Sequence, residues 1–166
     1  LKTAIRNDNP VIFFENKMLF STTGEIPEGE HLVPFGQARV AREGTDVSLI
    51  SYGATLLKCL EAAESLAGEG IQAAVLDLRS LSPLDKDSII ATVAKTGRVV
   101  IAHEAVKQSG FGAEIAAIMA EEAIGYLDGP ILRVGAPFTP VPFSPSFEDK
   151  YRIFPDQIAQ AAKRLL

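Results

Sequence analysis

The chain has 166 residues, of which 47% are hydrophobic and 22% charged, with a net charge of −5, a single cysteine and two histidines. That length supports one ordinary core, and the composition is that of a globular domain. No apolar run approaches the ~20 residues of a membrane helix, the acidic balance argues against general nucleic-acid binding, and one Cys excludes a disulfide framework.

In chain order, residues 11–14 (Val-Ile-Phe-Phe) read as a short strand after Asn7-Asp8-Asn9-Pro10. Residues 21–37 are rich in Gly, Pro and Glu and read as a linker. Residues 1–20 are therefore expected to be the tail of a preceding domain, and 38–166 a domain of their own. Within it, 38–42 is a strand candidate joined to Val47 by only Glu43-Gly44-Thr45-Asp46, too short for a parallel crossover, so it should run antiparallel to its neighbour. Residues 47–52 form an apolar strand, and 54–67 carry Leu57, Leu60, Ala63 and Ala67 at helical spacing up to the stop at Gly68 and Gly70. A second buried strand spans 73–78. Asp85 reads as the N-cap of a helix over 86–95, with Gly97 its stop. A strand over 99–102, a helix from Gly112 through Ala123 and a strand over 131–134 follow. Residues 137–145 hold too many prolines for helix or central strand and should cross the surface as extended chain before a last helix over 155–165. Apolar strands separated by helices imply a parallel sheet with helices on both faces and right-handed crossovers.

Three motifs come near a known chemistry and miss it. After Gly110 and Gly112 a dinucleotide fingerprint needs a third glycine where Ile115 stands. His103-Glu104 lacks a second histidine one turn later, where Lys107 stands, and in a strand the two side chains point to opposite faces. Ser51 has the strand-to-helix placement of a hydrolase nucleophile but no preceding glycine, and His31 and His103 are its only prospective bases. Cys59, among Leu56, Leu60 and Ala63, reads as a small buried apolar residue.

Six segments occur in one order: Asn9-Pro10-Val11-Ile12-Phe13-Phe14-Glu15, Ser51-Tyr52-Gly53, residues 77–85 (Asp-Leu-Arg-Ser-Leu-Ser-Pro-Leu-Asp), Lys95-Thr96-Gly97-Arg98, His103-Glu104-Ala105, and residues 110–116 (Gly-Phe-Gly-Ala-Glu-Ile-Ala). Together they resemble the C-terminal part of the β subunit of thiamine-diphosphate-dependent 2-oxo acid dehydrogenases, the family of the pyruvate, branched-chain 2-oxo acid and acetoin enzymes. The resemblance implies an α/β fold of the transketolase C-terminal type, three layers with a five-stranded mixed sheet whose first strand is antiparallel. It places residues 1–20 in the tail of a pyrimidine-binding domain. In such enzymes thiamine diphosphate and magnesium lie between domains other than this one, so no cofactor is expected on this chain alone. The implied reaction decarboxylates a 2-oxo acid, or cleaves acetoin, and passes the acyl unit to a lipoyl group. The implied partners are a second β subunit, an α subunit and a lipoyl-bearing acyltransferase core, in the bacterial cytoplasm or the mitochondrial matrix.

No catalytic, cofactor-binding or metal-ligating residue is assigned. The candidates for an anion site or an interface are His103, Glu104, Gly110, Gly112 and Arg79, with Gly110 and Gly112 able to expose helix N-terminal amides. The simpler reading gives the glycines to backbone shape, His103 and Glu104 to loop hydrogen bonds, and Arg79 to a salt bridge. Lys163, Arg164 and Leu166 are candidates for docking, although the basic pair also suits a helix C-terminus. Residues 18–20 (Met-Leu-Phe) read as domain-docking surface, and an autonomous anion-binding module of the same fold is the alternative function.

Overall fold

The computed structural model describes residues 1–25 and 27–166, so Ile26 in the 21–37 linker lies outside the described residues. The elements are α1 (Lys2–Ile5), β1 (Arg39–Arg42), β2 (Val47–Ser51), α2 (Thr55–Ala67), β3 (Ala73–Asp77), α3 (Lys86–Thr96), β4 (Val99–Val106), α4 (Phe111–Glu122), β5 (Leu132–Ala136), α5 (Pro145–Tyr151) and α6 (Pro155–Lys163), with short 3₁₀ turns at Lys17–Leu19 and Ile124–Tyr126. The sheet runs β1-β3-β2-β4-β5, and β1 alone is antiparallel. Helices α2 and α6 cover one face around Leu49, Val75 and Val100, while α3 and α4 cover the other around Ile50, Leu76 and Ile101. This is the three-layer, five-stranded mixed sheet that the resemblance implies.

Burial orders the strands. Every residue of β2 (Val-Ser-Leu-Ile-Ser) is buried, as a central parallel strand flanked on both sides requires. Strand β1 (Arg-Val-Ala-Arg) is half exposed and takes an edge, where its arginines blunt an open ladder. The antiparallel direction expected of β1 holds, but its partner is β3, not the β2 that follows it. No hairpin forms because the link lies across the start of β3. Gly44 packs so closely on the Ala73–Ala74 backbone that any Cβ would collide there, and the Thr45 and Asp46 amides both donate to the Gln72 carbonyl at 2.9 Å.

The helix boundaries follow their signals. The Asp85 carboxylate accepts from the Ser88 amide at 3.0 Å and from the Ala38 amide at 2.8 Å, so one side chain caps α3 and anchors the chain entering β1. Gly97 ends α3 at φ +66°, a left-handed conformation natural to glycine. Other boundaries moved. Strand β4 runs four residues past Ala102, so His103, Glu104 and Ala105 belong to the strand itself. Helix α4 starts at Phe111, directly after a turn over residues 107–110, so Gly110 and Gly112 sit at its start. Within the Pro-rich stretch, Pro145 opens the unforeseen helix α5, because a proline at the first helical position forfeits no hydrogen bond.

Residues 11–14 form no strand, since no sheet edge runs beside them to supply a ladder. Ile12 and Phe14 are 81% and 86% exposed. The first residues are instead tied to the stretch that follows: the Thr3 hydroxyl donates to the Val33 carbonyl at 2.8 Å, and Arg6 pairs with Glu30 at 2.7 Å.

Candidate functional site

In an open α/β sheet the crevice for ligands lies beyond the carboxyl ends of the strands, where the winding order reverses. Here the chain leaves β2 for β3 on one side and crosses back to β4 on the other, so the reversal lies between β2 and β4. Strand β2 ends at Ser51-Tyr52-Gly53 and β4 at His103-Glu104-Ala105-Val106, with the start of α4 beside them.

The His103 ring fills this point. It is fully buried, and its Nδ1 donates to the Ala105 carbonyl at 3.0 Å. A carbonyl only accepts, so Nδ1 carries the proton and Nε2 a lone pair, which has no hydrogen-bond partner among the described residues. Burial holds the His103 pKa below its ordinary value, the Ala105 carbonyl opposes that shift, and the Arg133 charge adds to it. The imidazole is therefore neutral at physiological pH.

Three glycines make room for this ring. A Cβ on Gly112 would stand 2.5 Å from Nε2 and 2.7 Å from Cδ2, one on Gly110 would stand 2.7 Å from Cε1, and one on Gly135 would stand 3.1 Å from Cε1. Gly110 has φ −74°, open to any residue. Gly110 and Gly112 thus serve side-chain space, where backbone conformation was the reason expected. Tyr52 stacks on the imidazole, with centroids 6.2 Å apart and planes at 22°, and meets Phe111 edge-on at 6.1 Å. Burial raises the Tyr52 pKa, and the Glu104 charge raises it further.

Glu104 points away from His103, as alternation along a strand requires, and is exposed. Its carboxylate accepts from the Asn16 amide at 2.7 Å, tying residues before the sheet domain to the end of β4. Arg79 belongs to a different group. It pairs at 3.7 Å with Asp77, which also faces Arg39 at 3.6 Å, and its backbone sits at φ +57°, uncommon for a residue with a side chain. Burial raises the Asp77 pKa, while Arg39 and Arg79 pull it down. The five candidate residues therefore separate: His103, Gly110 and Gly112 meet, Glu104 faces outward, and Arg79 pairs elsewhere.

The docking candidates separate too. Lys163 pairs with Glu69 across to the end of α2, Arg164 lines a cleft beside β5, and Leu166 is exposed. Met18 and Phe20 are 61% and 71% exposed, with the Arg152 guanidinium 3.6 Å from the Met18 sulfur. Ser51 is fully buried, and no hydrogen bond joins it to His103 among the described residues, so the near-miss nucleophile has neither access nor base. Cys59 is buried, and burial pushes its thiol up to about 12.

Sequence reasoning passed over Tyr52, Asn16, Asp77 and Arg133. Tyr52 lies at the end of a buried strand and across the reversal point from His103, the one signal that could have joined them. Asn16 and Arg133 gave no local signal, since their partners lie 88 and 26 residues away.

Among the described residues there is no grouping of three His, Cys, Asp or Glu able to hold a metal. No helix among them is long and apolar enough to cross a membrane.

Comparison with known proteins agrees with this architecture. Residues 36–158 match the family described as "Transketolase, C-terminal domain". The chain is 47% identical over 163 residues to the acetoin:2,6-dichlorophenolindophenol oxidoreductase subunit beta of Cupriavidus necator, covering 98% of this chain and 48% of that one. It is 49% identical over 145 residues to the pyruvate dehydrogenase E1 component subunit beta of Bacillus subtilis, covering 87% of this chain and 45% of that one. Among solved structures, a split-gene transketolase described as an inactive beta4 tetramer superposes with a TM-score of 0.73 at 30% identity, over 86% of this chain and 45% of that one. The chain thus spans about half the length of the curated relatives it matches.

Proposed function

We propose, since the chain belongs to the transketolase C-terminal domain family, that it is the C-terminal half of a β subunit in a thiamine-diphosphate-dependent enzyme acting on a 2-oxo acid or acetoin. The observation that carries this is the 47% identity sustained over 98% of the chain to an acetoin:2,6-dichlorophenolindophenol oxidoreductase subunit beta. Its relatives include both acetoin and pyruvate enzymes, so the substrate class stays at 2-oxo acid or acetoin. The cofactor and magnesium belong to other parts of the whole enzyme, and this chain contributes no catalytic acid or base.

Its work is assembly. Residues 1–20 are the tail of the preceding domain and 21–37 the linker. The exposed Ile12, Phe14 and Phe20 then become contacts with that domain, and Phe138 and Phe143, 70% and 101% exposed, become contacts with a second β subunit. An α subunit and a lipoyl-bearing acyltransferase complete the partners, and Lys163, Arg164 and Leu166 mark the neighbourhood for docking. The enzyme is assigned to the bacterial cytoplasm or the mitochondrial matrix. The alternative, an anion site at Gly110 and Gly112, is disfavoured by charge. Glu114 already stands in the first turn of α4, and the one cation lining the adjoining cleft, Lys86, is paired with Glu122 at 2.9 Å.

The test is a chimaera in which this chain replaces the matching half of the Cupriavidus necator subunit beta, produced together with that enzyme's α subunit. Assembly with dye reduction on acetoin or a 2-oxo acid is the expected result. A soluble chimaera that never joins the α subunit would refute the reading.

A further inference from the structure

Strand β5 is the second edge of the sheet, paired with β4 on one side only. Among the described residues, no backbone hydrogen bond from beyond β4 reaches Leu132, Arg133, Val134 or Gly135. Every second amide and carbonyl of this strand therefore faces outward, a template for one more strand. A cleft of about 470 Å³ lies along the edge. Arg133 enters it from the α4 side, Gln157, Gln160 and Arg164 from α6 on the opposite side, and Lys107 from the end of β4.

The charge in this cleft has one sign. No carboxylate lines it, and among the described residues none of Lys107, Arg133 and Arg164 forms an ion pair, although the chain as a whole carries −5. Arg133 donates to the Lys107 carbonyl at 2.9 Å, which fixes its guanidinium beside the strand and leaves further donors free. The Gln157 side-chain oxygen accepts from the Phe154 amide, leaving its NH₂ group to donate as well. The outward groups of the strand supply both donors and acceptors, and the charged side chains around them are all cationic.

We infer that the free edge of β5, with Lys107, Arg133 and Arg164, is a docking site for an extended acidic peptide segment of another protein, added as a sixth strand. Backbone pairing would supply affinity, and carboxylates on the two faces of the added strand would meet Arg133 on one side and Arg164 on the other. A second copy of this chain is the wrong occupant. Edge-to-edge pairing across a two-fold axis would set both copies' Arg133 and Lys107 into one cleft, and like charges opposed across strands destabilise the pairing. A small oxyanion would satisfy the cations and leave the ladder groups unused. This inference does not depend on the subunit reading above, because it rests on the edge and its charge alone.

The probe is a fluorescein-labelled Glu-Val peptide of repeating Glu-Glu-Val-Val, which sets carboxylates on both faces of an extended strand, titrated with the protein by fluorescence anisotropy at low and at physiological ionic strength. Three controls accompany it: the same peptide N-methylated at alternate amides, a Lys-Val peptide of equal length, and free citrate as competitor. Binding of the Glu-Val peptide should weaken with salt and slow amide exchange within Leu132–Ala136. Reversing one exposed charge, Arg164→Glu, should weaken it about fivefold or more at low salt. Arg133→Gln provides a second variant with the same direction of change. Equal binding of the N-methylated peptide, or full displacement by citrate, would overturn strand addition and leave a simple anion site. No binding by millimolar protein would equally overturn the proposal and assign the cations to guarding the edge, and concentration-dependent self-association that slows amide exchange within Leu132–Ala136 would assign the edge to a second copy.

Discussion

The contact between Gly112 and His103 makes a prediction with a reversible sign. In Gly112→Ala the new methyl group would stand 2.5 Å from Nε2, 2.7 Å from Cδ2 and 3.2 Å from the Ile101 side chain, all buried. The imidazole cannot swing aside, since the Ala105 carbonyl, Gly110, Gly135 and Tyr52 enclose it. Overpacking of this kind costs about 1–3 kcal/mol, against about 1 kcal/mol gained from replacing a helical glycine by alanine. The expected net loss is up to about 2 kcal/mol, seen as a Tm lowered by up to about 6 °C for a chain of this size. His103→Ala alone should cost about 2–4 kcal/mol for the space it opens. In that background the clash is gone, so Gly112→Ala should become neutral or stabilising by up to about 1 kcal/mol. Gly110→Ala is the internal control. Its Cβ also collides with the Val106 carbonyl, a backbone atom, so removing His103 should not rescue it. Urea unfolding of the single and double variants measures the cycle. Gly112→Ala costing the same with and without His103 would refute the steric account of this glycine.

Other consequences are checked by simpler means. Asp85→Ala removes the cap of α3 and the acceptor for the Ala38 amide, and should cost about 2–3 kcal/mol by urea unfolding. Burial works against the charged Asp85 carboxylate, but its bonds from Ala38 and Ser88 outweigh it and hold its pKa below the ordinary 3.8. Its share of stability is therefore present above pH 3.8 and lost as pH falls toward its folded pKa, a loss absent from Asp85→Ala. His103 has a depressed pKa, so the unfolded chain binds its proton more readily. Stability should fall as pH drops through about 6.5, and less steeply in His103→Ala, as calorimetry at pH 7 and pH 5 would register. Cys59, with its thiol at about 12, should react with a disulfide reagent at pH 8 only on unfolding, so fast labelling of the native protein would contradict its burial.

Alternation of buried strands and periodic helices was legible because each signal is local. The Val-Ser-Leu-Ile-Ser run, the Asp85 cap and the Gly97 stop each act within a few residues, and β2 and α3 appear where they point. What failed depended on a partner distant in sequence. The pairing of β1 with β3 could not be read from the link to β2, since the contact that excludes a hairpin is between Gly44 and Ala73. An apolar run at residues 11–14 resembles a strand, but a strand exists only where an edge is available to it. The site shows the same division. His103, Gly110 and Gly112 drew notice because histidine and spaced glycines are chemically conspicuous. Their relation was invisible, because it arises only when the end of β4 is laid against the first turn of α4.

That relation also accounts for how this domain differs from the ligand-binding sheets it resembles in outline. Where the winding order reverses, such sheets leave an opening, and helix N-termini at the opening attract anions. Here the point between β2 and β4 is closed by Tyr52 stacked on His103 and by Phe111 against Tyr52. Removing the three glycine Cβ positions lets the imidazole sit against the start of α4, where a ligand's charged group would otherwise lie. A neutral ring suits that place, since an imidazolium would face the positive end of the helix dipole. A ligand could enter only by displacing a packed aromatic stack, at the cost of its buried contacts. The exposed groups on which the proposed recognition rests are those at the rim and the edges: Glu104 held by Asn16, the apolar residues at either end of the chain, and the cations along β5. With the central crevice filled and the edges polar and charged, the proposed recognition of other protein surfaces falls to the edges, and the expected effects of mutation divide accordingly, with stability at His103 and association at Arg164.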